Sequence, residues 1–245
     1  MPVIVVNGIV TRYVNYREND RILSLFTIEQ GRIDAKARGC RKPTSALLAC
    51  AQPFVYGEFE LYQGRDKAIV NQCEIKESFF RLREDITRFA IGSVMLQLTQ
   101  EAVQIAEPNA PLFSLLYHAL SHLSYGETDP NDLLLLFLLR FLDRVGYRPS
   151  ITVCAKCGRD VRSDGRLFFS ARQGGTVCAA CSASAKEVSV LALEAMRRML
   201  LLPDEEMGRV RLTEPLRKEI GALLPEYTET ALDYGARALG FLKQL

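Results

Sequence analysis

The chain carries Cys154-x2-Cys157 and, after twenty intervening residues, Cys178-x2-Cys181. No other feature restricts the fold so tightly. A two-residue spacer lets one tight turn aim two sulfurs at a single point, and two such turns close a tetrahedral four-thiolate site for zinc. Gly158 lets the chain pass close behind the first pair, and Gly174 with Gly175 allows a turn into the second. Two disulfides or a thiol redox pair form the competing reading. Against it, the seven cysteines are an odd number, and a redox pair usually stands alone where a strand enters a helix. Four protein ligands leave no position for water or substrate, so the expectation is one structural zinc ion at Cys154, Cys157, Cys178 and Cys181. Four thiolates and a divalent cation sum to a double negative charge, which offsets the formal net charge of +2. Cys40, Cys50 and Cys73 sit singly in apolar or strand-like surroundings and read as buried thiols.

The rest of the chain divides by hydrophobic period. Residues 3–14, 22–28, 33–37, 54–62 and 68–75 read as strands, and five of them so close together suggest a small barrel or sandwich. Glu29-Gln30-Gly31 is a tight link within this set, and Gly39 and Pro43 end the third strand. Beyond Ser78, Ile86, Phe89, Ala90, Val94, Leu98, Ala102 and Ile105 recur at helical spacing. A second helix over 112–123 follows Pro108 and Pro111. A third opens at Asp129-Pro130, and its nearly unbroken apolar core requires neighbours on every side. After the cysteines, 188–202 reads as a helix, and Pro203, Pro215 and Pro225 punctuate two more, the last running from 227 to the end. The expected fold class is therefore α+β and multidomain: a β module over 1–78, a helical domain over 79–150 and 186–245, and a zinc module over 151–185 inserted between its parts.

Several function classes lack their residues. The longest apolar run, 133–139, is seven residues, far below the roughly 18 that span a bilayer. The N-terminal stretch has neither a basic region nor a small-residue cleavage pattern, so a cytoplasmic location is expected. No Gly-rich loop ends in Gly-Lys-Ser/Thr, and neither His118 nor His122, the only histidines, heads a zinc-protease or deaminase pattern. Acidic pairs such as Glu84-Asp85 and Glu205-Glu206 are adjacent and near helix starts, where the dipole favours them. A binding protein, not an enzyme, is what remains.

Charge distribution points to the partner. Arg32, Lys36, Arg38, Arg41 and Lys42 oppose only Asp34 within eleven residues, the sharpest concentration in the chain. A barrel with a basic rim and exposed rings suits single strands, because cations follow phosphates while rings stack on bases. Tyr13, Tyr16, Phe54, Tyr56, Phe59 and Tyr62 are the candidate rings, although strand alternation turns at least half of them inward. Arg12, Arg17 and Arg21 form a second, sparser basic group. An OB and zinc-ribbon protein of transcription or RNA binding is the alternative on the same features.

Several motifs in order narrow this choice: Thr27-x3-Gly31, Ala37-Arg-Gly-Cys-Arg-Lys42, Gln52-Pro-Phe54 with Glu58-Phe-Glu-Leu-Tyr62, Pro111-Leu-Phe113, Gly146-Tyr-x-Pro149, and Cys154-x2-Cys-Gly158 leading to Gly174-Gly-x2-Cys178. Together they resemble the RecO family of bacterial DNA recombination and repair mediators. The resemblance implies an N-terminal OB-fold, a helical domain and a four-cysteine zinc module. It also implies binding of single- and double-stranded DNA, annealing of complementary strands, and a complex with RecR that helps load RecA onto strands coated by single-stranded-DNA-binding protein. The family pattern Ala-Lys-Gly-Ala-Arg stands here as Ala37-Arg38-Gly39-Cys40-Arg41, which keeps the charge but replaces a point cation by a planar fork. For the acidic, apolar tail of single-stranded-DNA-binding protein, Arg140 and Arg144 on the third helix are the expected cations, with C-terminal helix charge as the plainer account of them.

Overall fold

A computed structural model describes residues 2–64, 68–183 and 185–240. Strands β1 (Val3–Tyr16), β2 (Asp20–Thr27), β3 (Gly31–Ala37), β4 (Tyr56–Gln63) and β5 (Ala68–Glu77) close into a barrel in the order β1-β2-β3-β5-β4. Every pairing is antiparallel except that of β3 with β5. Of the barrel and sandwich that the strand pattern suggested, the chain forms the barrel, and it is OB-like, as the family resemblance implied. Period-two alternation sends Leu23, Leu25, Ala35, Ala37, Phe59 and Leu61 inward, with Val6 and Val10 from β1. β1 serves two neighbours, and a register shift between Val10 and Arg12 supplies the bend this needs.

The link between β2 and β3 needs glycine. Gly31 adopts φ +65°, and a Cβ there would lie 2.2 Å from the Glu107 carbonyl oxygen. The Thr27 hydroxyl fastens the turn, donating to the Gly31 carbonyl at 2.8 Å and accepting from the Gln30 N–H at 3.1 Å. Phe54 departs from the expected fourth strand. It occupies a left-handed turn at φ 72° just before β4, and its ring is buried.

The helices are α1 (Ile86–Ala102), α2 (Ala110–Tyr125), α3 (Pro130–Arg144), α4 (Val190–Leu201), α5 (Glu214–Ala231) and α6 (Gly235–Leu239). Strands β6 (Leu167–Ser170), β7 (Gly175–Cys178) and β8 (Lys186–Val188) form a small sheet in the order β7-β6-β8. The residues group into two compact units, one of Met1–Asp85 with Met95–Leu120 and one of Ile86–Val94 with Ser121–Leu245. In the first, an aromatic cluster covers part of the barrel: Phe26 meets Phe113 edge-on at 5.3 Å, and Tyr117 meets both Tyr56 at 5.2 Å and Phe79 at 5.9 Å.

The second unit is organised around α3. Asp129 caps it by accepting from the Asn131 N–H, Pro130 supplies its first turn, and every residue from Asp132 to Leu142 is buried. Two of these residues are charged, and each has a fixed partner. Asp132 accepts from Arg217 Nε at 2.7 Å and from the Leu212 N–H at 3.0 Å. Arg140 pairs with Asp204 at 2.6 Å and also donates to the Leu202 carbonyl.

Two expectations fail in the helical part. Ile105 lies beyond the end of α1, exposed, and bridges to Gly31 and Arg32 instead of extending the helical face. Pro225 does not start a new helix; α5 runs through it, because Ile220, Leu223, Leu224, Tyr227 and Thr228 are buried on both sides. Burying that stripe offsets the lost N–H bond at the proline. The end of the expected last helix, 241–245, lies outside the described residues. The Arg140–Asp204 pair gives a stability test. Asp204→Ala leaves a buried guanidinium without its nearest carboxylate and is expected to cost about 3 kcal/mol in urea unfolding. The apolar double replacement Arg140→Met with Asp204→Leu should recover most of the loss.

Candidate metal centre and nucleic-acid interface

Two tight turns and the edge of a small sheet bring the four expected cysteines together. In the first turn the Gly158 N–H donates to the Cys154 carbonyl at 2.8 Å and the Cys154 N–H to the Arg159 carbonyl at 2.7 Å. Gly158 has φ +74°, but a Cβ there would meet open space, so the glycine serves the backbone conformation and not the close passage expected behind the sulfurs. The second pair straddles the end of β7 and the short helical turn Ala179–Cys181. Gly175, at the start of β7, packs where a Cβ would stand 2.4 Å from the Ser150 carbonyl oxygen, so the sheet and the chain entering the first turn can touch.

The sulfurs of Cys154, Cys157, Cys178 and Cys181 all lie within 4.8 Å of one another, with Cys157 and Cys178 at 3.9 Å. A tetrahedron of thiolates around an ion at about 2.3 Å has edges of about 3.8 Å, so the donor set fits a metal. Its electrostatics point the same way. Burial pushes the Cys154 thiol up, but N–H groups of Cys178, Cys157 and Lys156 aimed at its sulfur more than compensate and bring it to about 6. Cys181, beside the Cys178 sulfur, is pushed up to about 12. Four adjacent thiols cannot all ionise unless a cation sits among them. The cluster is compatible with a zinc module.

The basic residues divide by place. β3 presents Arg32, Asp34, Lys36 and then Arg38 on the face opposite its buried Ala35 and Ala37. Lys36 pairs with Asp20 at 2.9 Å and lies over the Tyr16 ring at 4.7 Å, and Arg17 approaches the same ring at 5.4 Å. Asp20 also accepts from the Gly39 N–H at 2.8 Å. That bond first, and Lys36 second, hold its carboxyl below the usual carboxylate range. Arg41 donates to the Glu18 carbonyl at 2.9 Å. The turn after β1, the start of β2, the end of β3 and the loop beyond it therefore bring Arg17, Lys36, Arg38, Arg41 and Lys42 to one end of the barrel; Arg17 and Lys36 meet exposed Tyr16, Arg41 lies on the turn at Glu18, and Arg38 lines a pocket with Tyr62 and Ile69. Among the described residues, Arg12, Arg17, Arg38, Arg41 and Lys42 form no ion pair.

Three predicted cations stand apart from this group. Arg21 stacks on Tyr13 at 3.8 Å and donates to the Ala51 carbonyl at 2.7 Å, holding the segment between β3 and β4. Arg32 sits at the opposite end of β3, where its backbone N–H bonds to Gln104. Arg12 is exposed on β1 opposite Ser24. Of the candidate rings, Phe54 and Phe59 are buried, Tyr13 and Tyr56 are half-buried, and Tyr16 and Tyr62 are exposed. Asp20 was not among the expected site residues. A single aspartate after a hairpin turn reads as a turn former, and only the register of β2 with β3 brings it to Lys36.

Arg140 is 5% exposed and held by Asp204, and Arg144 reaches the same carboxylate at 3.5 Å. In the cysteine module, Arg159, Arg162 and Arg166 pair with Asp164, Asp160 and Glu187. His122 bonds through Nε2 to the Glu205 carbonyl at 2.9 Å, which gives it a packing role. No helix among the described residues is long and apolar enough to cross a membrane.

Two family models match the chain in tandem: Recombination protein O N terminal over residues 1–79 and Recombination protein O C terminal over residues 83–238. Full-length relatives agree. The DNA repair protein RecO of Alkaliphilus metalliredigens is 33% identical over 229 residues, covering 92% of each chain. That of Desulforamulus reducens is 30% identical over 248 aligned positions, covering all of this chain and 96% of its own. That of Heliobacterium modesticaldum is 36% identical over 229 residues, covering 89% of this chain and 81% of its own. A barrel followed by helices and a four-cysteine cluster, matched in tandem by two family models that together cover most of the chain, places it in the RecO family of DNA repair proteins.

Proposed function

We propose that the chain is a non-enzymatic recombination and repair mediator of the cytoplasm. It binds single- and double-stranded DNA through one end of the barrel, anneals complementary strands, and acts with RecR to help load RecA onto strands coated by single-stranded-DNA-binding protein. The observation that carries the DNA contact is the clustering of Arg17, Lys36, Arg38, Arg41 and Lys42 at one end of the barrel, where Arg17 and Lys36 lie over exposed Tyr16. Arg12, Arg21 and Arg32 contribute to the field and not to a shared contact. Annealing is opposed by repulsion between two phosphate backbones, and a surface that holds both lowers that barrier with no covalent step. Tyr16 offers a ring face for a base, and the cations on either side follow the backbone.

Zinc fits the four sulfurs better than other ions, because a closed thiolate tetrahedron satisfies its coordination and it brings no redox chemistry. Cys154, Cys157, Cys178 and Cys181 would hold it, and its role is to fold the module. For the tail of single-stranded-DNA-binding protein, Arg144 is the accessible member of the expected pair, since Arg140 is buried. The RNA-binding or transcriptional alternative draws no specific support from these features beyond the barrel and the cysteines.

The double replacement Lys36→Glu with Arg38→Glu is expected to weaken single-strand binding across sequences. It should also lower the slope of log K against log salt by about 1.4, two contacts at about 0.7 each; an unchanged slope, measured by fluorescence anisotropy, would move the contact elsewhere. Tyr16→Ala should cost about 1–3 kcal/mol at constant slope, as a stacking contact does. Metal analysis should give one zinc per chain, and Cys157→Ser with Cys181→Ser should abolish it and lower thermal stability. In an annealing assay, the protein should accelerate pairing of complementary strands already coated with single-stranded-DNA-binding protein, and added RecR should permit RecA loading on them. Acceleration of naked strands alone would leave a general cationic binder.

A further inference from the structure

β3 and β5 run parallel through Ala35↔Ala68 and Lys36↔Ile69 and then part. A cleft of about 500 Å³ opens there on the barrel wall, lined by Arg38 just past β3, by Ile69, Val70 and Asn71 of β5, and by Tyr62 of β4. Ala35, Ala37, Leu61, Ala68 and Val70 point into the core, so strand alternation turns Lys36, Tyr62 and Ile69 outward. Tyr62 pairs with Ile69 and Ile69 with Lys36, which sets the three in one outward row across β4, β5 and β3. Neighbouring strands lie about 4.8 Å apart, so the row spans about 10 Å. Glu60 pairs with Gln72 but Leu61 with Val70, which leaves Asn71 as the extra residue of a bulge at the edge of the cleft.

The groups that face this cleft are uncommitted. Tyr16 already carries Lys36 and Arg17 on its ring. Tyr62 and Arg38 are exposed, and among the described residues neither side chain has a hydrogen bond, ion pair or ring contact. No carboxylate lines the cleft among the described residues, and Glu60, two positions before Tyr62, is held by Asn71 and Gln72.

We propose that the cleft takes one unpaired base of a DNA strand, stacked on the Tyr62 ring, and that Tyr62 is the residue by which the chain tells single strands from duplex. This rests on the DNA contact proposed above and adds to it a site that only one form of DNA can fill. Ile69 and Val70 give the base an apolar floor, while Arg38 and Lys36 take the phosphates on either side. A cleft of this size holds a group as large as a nucleotide. Bases in a duplex are stacked on their neighbours and show only their edges in the grooves, so they offer Tyr62 no face. Duplex meets the cations alone, through its phosphates.

Fluorescence anisotropy of the full-length, metal-loaded protein is measured with a labelled oligothymidine, an abasic strand of equal length and a duplex. Tyr62→Ala is expected to weaken oligothymidine binding roughly 5- to 150-fold, the loss of one stacking contact. Abasic-strand binding, duplex binding and the salt slope should stay as in wild type, and Tyr62→Phe should bind all three normally. The chain has no tryptophan, so Tyr62→Trp puts a lone indole in the cleft, and its emission should be quenched by oligothymidine and not by duplex. That emission decides the matter if Tyr62→Ala fails to fold. Oligothymidine binding unchanged in Tyr62→Ala, equal losses for strand and duplex, or unquenched emission at saturating oligothymidine would each overturn the cleft and leave the basic surface standing. Wild-type protein that binds neither strand nor duplex would overturn both. Loss of RecR binding with DNA binding intact would give the cleft to a protein partner and equally overturn the proposal.

Discussion

The barrel is closed by its shortest pairing. β3 and β5 run parallel and meet at only two positions, Ala35 with Ala68 and Lys36 with Ile69. The other four pairings join strands that already run antiparallel over long registers, so this contact turns a ribbon into a cylinder and removes its free edges. Its position matters to the surface. Lys36 sits in the closing pair, and the loop that leaves β3 directly after it carries Arg38, Arg41 and Lys42. Small side chains at Ala35 and Ala37 let the backbones approach inside, while the alternate residues stay outside.

The gathered cations are arranged and not merely abundant. Asp20 bonds both the Gly39 N–H and Lys36, so one carboxylate fixes the turn that ends β3 and orients the lysine over Tyr16. Arg21 is spent differently, stacked on Tyr13 and bonded to Ala51, where it holds the segment that follows the basic loop. Cations with fixed partners shape the surface, and those without ion pairs supply its field. Exposed charges of the second kind act over about a Debye length, roughly 8–10 Å at ordinary salt, which is the scale of a few nucleotides.

Charge is handled by another rule in the helical unit and its four-cysteine module. α3 buries Asp132 and Arg140 in a nearly continuous apolar helix and gives each an ionic partner from a later segment, Arg217 and Asp204. Each pair ties α3 to the chain beyond α4 and fixes its rotation, at a desolvation cost that an apolar pair would avoid. At the cysteines the same problem has another solution. Four sulfurs are crowded within 4.8 Å of one another, an arrangement that could hold a metal ion, and N–H groups from the turns favour the thiolate at Cys154.

Much of this was legible in the chain. Strand alternation located all five barrel strands, the x2 spacers located the four-cysteine cluster, and Asp129-Pro130 marked the start of the central helix, because each signal is local. Pro225 misled for the same reason: a local rule says a helix stops there, but burial of Leu223, Leu224 and Tyr227 overrides it. The basic residues were visible as a list, not as a site. Sequence placed Arg21 and Arg140 among the contact cations, and only strand register and helix burial turned the first onto Tyr13 and the second onto Asp204. The sequence alone determined which residues form strands, helices and the two cysteine-bearing turns, since those depend on neighbours a few positions away. Which charges face outward and which are neutralised were decided by the tertiary structure, because those outcomes depend on partners tens of residues distant that only barrel closure and helix packing bring within reach.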